Sequence, residues 1–409
     1  MCQVYLTIGH YKCYSRSIVS QNNQAEPAQL FQNRLKNVRI GKGLSQGELA
    51  KKSGITRQAV SAIESDVYLP TTAVALRLAS VLACRVEDLF SLAQPEVVIE
   101  GSFLGDVPTV DTQGLPLRVK VATVGTKTII RPVSGLGDVL PYTVPADGYL
   151  IEASRQRSEM KARVRLSRDR HSVEQEISVA GCDPAIFLAG EHLRRQKDQA
   201  SVIGWTMGSM AALGALQRSE VHVAGLHLFD PLSGESNLPF LKRALKGSAY
   251  EVVTFATWEE GFLVRAGNPR GIRHVADLAD VTVTLVNREE GSGARLLLDQ
   301  RLRAAGVDQA RVRGYENTAR SHFDVARTIA SRQADVGIGI RSAAQSFGLD
   351  FVPLQSARYD LVVAKSILQN HPTLGNLFDA ISSRRFRDEI QALGGYDTRD
   401  TGKLHALQA

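Results

Sequence analysis

The spacing of hydrophobic residues changes twice along the chain and divides it into three parts. In the first part, apolar residues recur every three to four positions, as in helices that bury one face. A middle stretch alternates or runs in β-branched residues, which is typical of strands. In the last part, strand-like and helix-like runs alternate, which indicates a mainly parallel sheet with crossover helices. We expect a helical domain at 30–95, a linker with a small β segment at 96–170, and an α/β domain at 171–400.

Capping residues mark the helices of the first part. Ser45, with Glu48 three residues later, predicts a capping box at the start of the second helix. Gly54 is expected to end that helix, because the turn needs a residue that tolerates positive φ. Thr56 is expected to cap the third. The other helices are predicted at about 31–40, 72–83 and 86–90, which gives a five-helix unit.

The segment "LSQGELAKKSGITRQAVSAIE" and the trailing "P…L…LA…L…EDLF" resemble the helix-turn-helix domain of phage repressors and Xre-type regulators, over about 60 residues. The resemblance implies that the third helix enters the major groove of DNA, where Arg favours guanine and Gln favours adenine. It also implies that Gln46 lies against a phosphate. The expected DNA-binding residues are Gln46, Thr56, Arg57, Gln58 and Ser61, with Lys42 and Lys51 as phosphate contacts.

Charge supports this interpretation. The chain carries a formal net charge of +7, and residues 31–95 hold nine Lys or Arg against five Asp or Glu, a local excess of +4. Such an excess favours a polyanionic partner. The alternative is a helical bundle whose charged face only keeps it in solution.

In the last part, four strands each lead through a small or polar turn into a helix. The turns are Gly181-Cys182-Asp183-Pro184, Gly208-Ser209, Gly291-Ser292-Gly293 and the one at Ser321. Ligands of parallel sheets bind beyond the carboxyl ends of the strands, and helix N-termini favour anions. The predicted ligand-binding residues are Cys182, Asp183, Ser209, Asp230, Arg288, Gly291, Ser292, Gly293, Arg295, Ser321, His322 and Tyr359.

Several of these residues have a structural alternative. Arg288 and Arg295 could pair with neighbouring acidic residues, and Cys182 could be a small buried residue. Asp183 and Asp230 would repel an oxyanion, so they either cap helices or indicate another ligand.

Two segments, near residues 260 and 358, cross between the halves of this domain. We therefore expect one lobe at about 171–258 and 357–396, and the other at about 262–354. The signatures "VAGCDPA", "GSMAALGAL", "NREEGSGARLLLDQ", "SHFDVARTIASRQADVGIG" and "GGYDTRDTG" resemble the type II periplasmic binding-protein fold. They are most similar to the substrate-binding domain fused to Xre-type regulators and to molybdenum-cofactor proteins. The resemblance implies molybdate or tungstate as effector.

Other functions lack their motifs. The P-loop pattern GxxxxGK[ST] is absent, and so is a Ser/His/Asp series, which argues against an enzyme. The cysteines Cys2, Cys13, Cys84 and Cys182 are scattered, so we expect no disulfide framework or zinc site and no cofactor. His222 and His227 are five apart on a strand and are predicted to face opposite sides. Residues 1–29 are interpreted as a poorly ordered leader without a secretory signal, in a cytoplasmic protein without a membrane segment.

The leading hypothesis is a homodimeric transcriptional regulator that binds an operator in double-stranded DNA and senses a small ligand in the cleft, most simply an oxyanion. An organic effector, a role in molybdenum-cofactor metabolism and a transport receptor are the alternatives.

Overall fold

The chain forms two compact units that meet in sequence between Glu96 and Val97. The computed structural model describes residues 31–92, 97–106, 116–137, 140–195, 201–245 and 249–406. The predicted leader, with Cys2 and Cys13, lies outside these described residues. No described helix is both long and apolar enough to cross a bilayer.

The first unit contains the five predicted helices, framed by two short strands. Its elements are β1 Phe31–Asn33, α1 Leu35–Gly41, α2 Gln46–Ser53, α3 Arg57–Glu64, α4 Thr72–Leu82, α5 Val86–Leu89 and β2 Phe90–Leu92. The capping predictions are confirmed: Ser45 and Glu48 form the capping box, and Thr56 accepts a hydrogen bond from the Ala59 amide. Gly54 ends α2 with φ 65°.

The start of the first helix was predicted wrongly. Phe31–Asn33 is not helical but pairs antiparallel with Phe90–Leu92. Asn33 then accepts a hydrogen bond from the Leu35 amide, which starts α1. Local periodicity cannot show this pairing, because the partner strand lies almost 60 residues away in sequence.

The predicted β segment closes into a five-stranded barrel. Its strands are β3 Val98–Phe103, β4 Arg118–Val124, β5 Lys127–Pro132, β6 Gly148–Gln156 and β7 Glu159–Leu166, in the order β3-β5-β4-β6-β7. A short helix, α6 Leu140–Thr143, lies between β5 and β6. The predicted hairpin is confirmed, with Val124 opposite Lys127.

Buried polar contacts fix the barrel to the α/β domain. Lys120 Nζ on β4 lies 2.7 Å from Asp147 Oδ1 and 2.6 Å from Glu176 Oε2, and all three side chains are at most 3% exposed. His222 Nε2 lies 2.8 Å from the Thr123 carbonyl oxygen of the barrel. The segment predicted as a connector is thus a packed part of the second unit.

The α/β domain is built on one ten-stranded sheet. Its strands and helices are, in chain order, α7 Arg170–Glu174, β8 Ile177–Gly181, α8 Ile186–Arg195, β9 Val202–Thr206, α9 Ser209–Gln217, β10 Val223–Leu226, β11 Phe229–Asp230, β12 Glu235–Ser236, α10 Leu238–Ala244, β13 Tyr250–Val264, β14 Leu285–Arg288, α11 Gly293–Ala304, β15 Thr318–Ala319, α12 His322–Ala330, β16 Val336–Ile340, α13 Arg341–Ser346, β17 Asp350–Ala364, α14 Lys365–Asn370, α15 Leu374–Ser382, α16 Arg384–Ala392, β18 Tyr396–Asp397 and β19 Leu404–Ala406.

Two long strands give this domain its two lobes. β13 and β17 each run for 15 residues and pair antiparallel along their length. One end of the pair continues into β10, β8 and β9, and the other into β16, β14 and β15. Within each lobe the outer strands are parallel. The carboxyl ends of β8 and β14 therefore lead into turns that can meet between the lobes.

Candidate functional site

Helix α3 of the first unit presents a polar face to solvent. Arg57, Gln58 and Ser61 are exposed, whereas Val60 and Ile63 are fully buried in the helical core. The core therefore fixes the helix through one side and leaves the other side, with its predicted base contacts, free to enter a DNA groove.

The predicted phosphate contacts differ among themselves. Lys42 and Lys51 are exposed. Gln46, expected against a phosphate, donates from Nε2 to Glu64 Oε2 at 2.9 Å. Glu64 also holds Arg39, whose guanidinium donates to both of its carboxylate oxygens. This network ties α1, α2 and α3 together and orients Gln46 at the start of α2.

In the second unit, two of the predicted turns meet between the lobes. The Met210 amide at the start of α9 donates to the Gly291 carbonyl oxygen at 3.1 Å. Gly208 lies so close to Ser292 that a Cβ there would be 3.1 Å from the Ser292 Cα. The lobes are closed onto each other at these two turns.

The Gly-Ser-Gly turn before α11 is shaped for this contact. Gly291 has φ 78°, which a residue with a side chain rarely adopts. Ser292 caps α11: its hydroxyl accepts from the Arg295 amide at 3.2 Å and donates to the Glu289 carbonyl oxygen at 2.8 Å. A Cβ at Gly293 would lie 2.3 Å from the His227 carbonyl oxygen of the other lobe.

Beside this turn lies a group of buried polar side chains that we call the interlobe centre: Cys182, His227, Trp258, Glu260 and His322. One potential ligand atom each from Cys182, His227 and His322 lie within 4.8 Å of one another. These residues come from the turn after β8, the segment after β10 and the start of α12. The sequence predicted no metal cluster, because the three are far apart along the chain.

Several polar atoms of the interlobe centre have no hydrogen-bond partner among the described residues. They include His227 Nε2, both ring nitrogens of His322 and Trp258 Nε1. His227 Nδ1 lies 2.7 Å from Glu260 Oε1, but the contact lacks the direction of a hydrogen bond and is an ion pair. Buried polar groups are normally satisfied. Such a concentration of unsatisfied groups therefore indicates a binding site.

The electrostatics of the two histidines differ. Burial lowers the pKa of His227, but Cys182 and Glu260 outweigh it and raise the pKa to about 10. Burial, with a further contribution from Arg288, lowers the pKa of His322 well below its ordinary value. Burial also raises the pKa of Asp183 to about 6. The surroundings of His227 thus favour its protonated form, and those of His322 favour the neutral ring.

The two predicted arginines are largely engaged. Arg288 is fully buried and pairs with Glu289 at 2.8 Å, although its Nη1 has no partner in the described part of the chain. Arg295 stacks on the Tyr315 ring at 4.1 Å, lies 3.7 Å from Asp299 and donates to the Arg288 carbonyl oxygen. The alternative of pairing with neighbouring acidic residues is therefore realised for both.

The predicted serines Ser209 and Ser321 both lie at helix starts, but only Ser321 caps its helix. Ser209 accepts from the His227 amide at 3.1 Å, and Ser321 accepts from the Asp324 amide at 2.9 Å. Tyr359 is buried beside the interlobe centre, with its ring 4.7 Å from that of Trp258.

The two predicted aspartates have different positions. Asp183 accepts from the Ala185 amide and the Tyr396 hydroxyl, while its Oδ2 has no partner among the residues described. Asp230 accepts from the Leu232 amide and the Ser233 hydroxyl. Asp230 thus closes its own turn, whereas Asp183 borders the interlobe centre.

Sequence reasoning missed His227, Trp258 and Glu260. His227 follows β10 directly, so the rule that ligands bind beyond strand ends could have found it. Glu260 is one of three glutamates in β13, with Glu251 and Glu259, and it is only 1% exposed. No sequence signal distinguishes it from the other two.

Two cavities of the second unit differ in volume and in the residues that line them. A cavity of about 10 Å³, enough for roughly one water, is lined by Gly181, Asp183, Thr206 and Tyr359 among others. An open cleft of about 710 Å³ lies between the barrel and the first lobe, next to Lys120 and Arg168. Of the three cations among its described lining residues, Lys120 and Arg168 are already paired with buried carboxylates, and Arg194 lies 3.3 Å from Glu191. We therefore place the candidate site at the interlobe centre and not in the larger cleft.

The two units define a class: a helix-turn-helix DNA-binding domain joined to a two-lobed binding-protein domain. The family described as helix-turn-helix matches residues 35–89, and the family described as a PBP superfamily domain matches residues 190–382. The chain belongs to the proteins that combine an Xre-type helix-turn-helix with a domain of the periplasmic-binding-protein superfamily.

Three relatives cover different parts of the chain. YvgK of Bacillus subtilis (strain 168) is 32% identical over 228 residues, which are 56% of this chain and 73% of YvgK. A Clostridium pasteurianum protein from the 5′ region of the ferredoxin 2Fe-2S gene is 41% identical over 110 residues, 27% of this chain and 96% of that protein. The B. subtilis HTH-type transcriptional regulator YgzD is 36% identical over 64 residues, 16% of this chain and 97% of YgzD.

Solved structures are more distant. A tungstate ABC transporter structure from Geobacter sulfurreducens has a TM-score of 0.41 and 14% identity, covering 53% of this chain and 98% of that chain. An ABC-type phosphate transport receptor from Vibrio cholerae has a TM-score of 0.36 and 15% identity, covering 54% of this chain and 98% of that chain.

Proposed function

We propose that this protein is a ligand-responsive transcriptional regulator. The helix-turn-helix binds an operator in double-stranded DNA, and a small ligand at the interlobe centre changes the affinity for that operator. The observation that carries the proposal is a closed two-lobed domain with unsatisfied buried polar groups at its centre, in one chain with an exposed α3 face. A ligand can shift such an equilibrium only by binding one lobe arrangement better than the other.

The sequence predicted an oxyanion such as molybdate or tungstate as the ligand. Some side chains at the interlobe centre favour an anion, and others disfavour it. The unpartnered Nη1 of Arg288 and Nε1 of Trp258 are donors that an oxyanion could accept from. Against it, the Glu260 carboxylate lies 2.7 Å from His227 Nδ1, and the Asp183 carboxylate interacts electrostatically with His227. The hydroxyl of Ser292, a predicted ligand-binding group, already donates to the Glu289 carbonyl oxygen, and the Met210 amide at the start of α9 donates to the Gly291 carbonyl oxygen. An organic effector remains the alternative.

We further propose that the protein acts in the cytoplasm as a homodimer, without enzymatic activity. Helix-turn-helix regulators bind two half-sites about one turn of DNA apart, and this requires two copies of α3. Sedimentation of the full chain on its operator checks the dimer: two chains per duplex support it, and one chain refutes it.

Operator affinity tests the main proposal. An operator is first selected by the full chain from random duplex DNA, and its affinity is measured by fluorescence anisotropy at fixed salt, because salt changes all such affinities. Molybdate, tungstate, sulfate, phosphate and Zn²⁺ are then added separately. We expect one of them to change the affinity by about 5- to 150-fold, the usual range of allosteric coupling. Ligand binding at the interlobe centre without a change in operator affinity would refute the proposal.

A further inference from the structure

We propose that the interlobe centre is a binding site for a divalent transition-metal ion of the zinc class, held by Cys182, His227 and His322. This inference rests on the proposed function, because it names the ligand class of the same site. It also goes beyond the oxyanion prediction, since the bound ion would be a cation.

The donor set selects the kind of ion. A thiolate and two imidazoles are ligands of zinc and neighbouring transition metals, whereas calcium and magnesium take oxygen ligands. In a tetrahedral zinc site the ligand atoms lie roughly 3.3–3.7 Å apart, given the metal–sulfur and metal–nitrogen bond lengths. The three atoms here are within 4.8 Å of one another, so about 1 Å of adjustment is enough.

The unsatisfied ring nitrogens point to the same conclusion. His227 has Nδ1 2.7 Å from Glu260 Oε1, and its Nε2 makes no hydrogen bond with any residue that the structure describes. His322 has no partner for either nitrogen in the described residues, although the ring is fully buried. A metal ion would satisfy one nitrogen of each ring, which hydrogen bonds inside the protein do not.

Glu260 occupies the position of a supporting group. Histidines that bind metals commonly hold a carboxylate with their other nitrogen, which fixes the ring and makes it a stronger ligand. The pair of His227 and Glu260 brings the same two groups together, at 2.7 Å between Nδ1 and Oε1, as an ion pair. Binding would release the His227 proton, because a metal ligand must be deprotonated. With both rings neutral, the Cys182 thiolate and the Glu260 carboxylate would then balance the two charges of the ion, and a buried site needs that compensation.

The ligands also connect the site to lobe closure. Cys182 and His227 belong to the lobe of β8 and β10, and His322 begins α12 in the other lobe. An ion bound by all three is held completely only when the lobes are closed. The metal would therefore favour the closed arrangement over the open one.

Cobalt spectroscopy on the full chain tests the site. Co²⁺ replaces zinc in such sites and gives a near-ultraviolet thiolate-to-cobalt band. We expect one Co²⁺ per chain, displaced by Zn²⁺, with a thiolate band that disappears in Cys182→Ser. Cys84→Ser is the matched control, because Cys84 lies in the helix-turn-helix unit, and it should keep the band. Thermal unfolding and operator binding establish that both variants are folded.

Glu260→Gln tests the supporting role. We expect Co²⁺ to bind about 10- to 100-fold more weakly, the usual effect of removing such a group, while the thiolate band persists at saturation. Glu260→Asp should restore part of the affinity. A structural role alone would change thermal stability and leave the cobalt affinity of the folded protein as it is.

The outcomes separate this inference from the proposed function. No cobalt binding by the folded wild-type chain, or a thiolate band that survives in Cys182→Ser, overturns the metal site. If molybdate or tungstate then changes operator affinity, the regulator proposal stands with an anion as ligand. If the metal binds through Cys182 but operator affinity is unchanged, the site is supported and the regulator proposal fails.

Discussion

Gly293 lies where the two lobes are in contact. The added methyl group of Gly293→Ala should clash with the other lobe and push the two lobes apart. The new Cβ would be 2.3 Å from the His227 carbonyl oxygen and 2.6 Å from the nearest ring carbon of His227. Non-bonded heavy atoms rest at about 3.3 Å or more, so the turn and His227 must separate by roughly 1 Å. Overpacking of this kind costs about 1–3 kcal/mol.

That cost applies to the closed lobes alone, so it shifts the equilibrium towards open lobes. In terms of affinity, about 1–3 kcal/mol corresponds to about 5- to 150-fold weaker binding of any ligand that needs closure. Trp258, 1% exposed and 5.2 Å from the His227 ring, should report the opening. We expect greater quenching of its fluorescence by acrylamide in Gly293→Ala, and weaker Co²⁺ binding.

Gly375→Ala is the matched control. Gly375 is exposed on α15, has nothing within 4 Å of a Cβ, and is expected to gain at most about 1 kcal/mol of stability. Its quenching and cobalt affinity should equal those of the wild type. If Gly293→Ala also behaves as the wild type in both assays, the closed contact does not limit binding and the reasoning fails.

Three further predictions concern DNA affinity, stability and pH. Arg57→Ala should weaken operator binding by about 1–3 kcal/mol, with Arg85→Ala near wild type; equal losses in fluorescence anisotropy would refute a specific contact. Lys120→Met leaves Arg168 as the one remaining cation, among the residues that the structure describes, beside the buried carboxylates of Asp147 and Glu176. The uncompensated buried charge should destabilise the second unit by about 3–5 kcal/mol, against at most about 1 kcal/mol for the half-buried Lys161→Met, as measured by urea unfolding. Burial lowers the pKa of His222 to about 4 in the folded protein. As the pH falls, the unfolded chain therefore binds a proton on His222 before the folded protein does. The second unit should therefore lose roughly 2–5 kcal/mol between about pH 6.5 and 4, and His222→Gln should flatten that slope; an unchanged slope would contradict it.

The helix-turn-helix unit was accessible from sequence because its signals are local. Ser45, Glu48, Gly54 and Thr56 act within three or four residues of themselves, and each does in the structure what its position predicts. The one error, at Phe31–Asn33, arose where a distant strand competes with helix periodicity.

The interlobe centre was only partly accessible. The strand–turn–helix rhythm identified Cys182 and His322, and the resemblance gave the fold. Neither the strand–turn–helix pattern nor the resemblance could show that Glu260, on the crossing strand β13, pairs with His227. The contact joins residues that no sequence period relates. Arg295 looked equally suitable as a ligand residue, yet its side chain stacks on Tyr315.

By itself, the sequence determined the helices, their caps, the parallel outer strands of each lobe and the turns at strand ends, whereas the central pairings of β13 and β17 are antiparallel. The predicted features depend on residues close together in the chain, through periodicity and backbone conformation. The tertiary structure alone decided which side chains share the space between the lobes. Burial and charge compensation act between residues that meet only after β13 and β17 have brought the two lobes together.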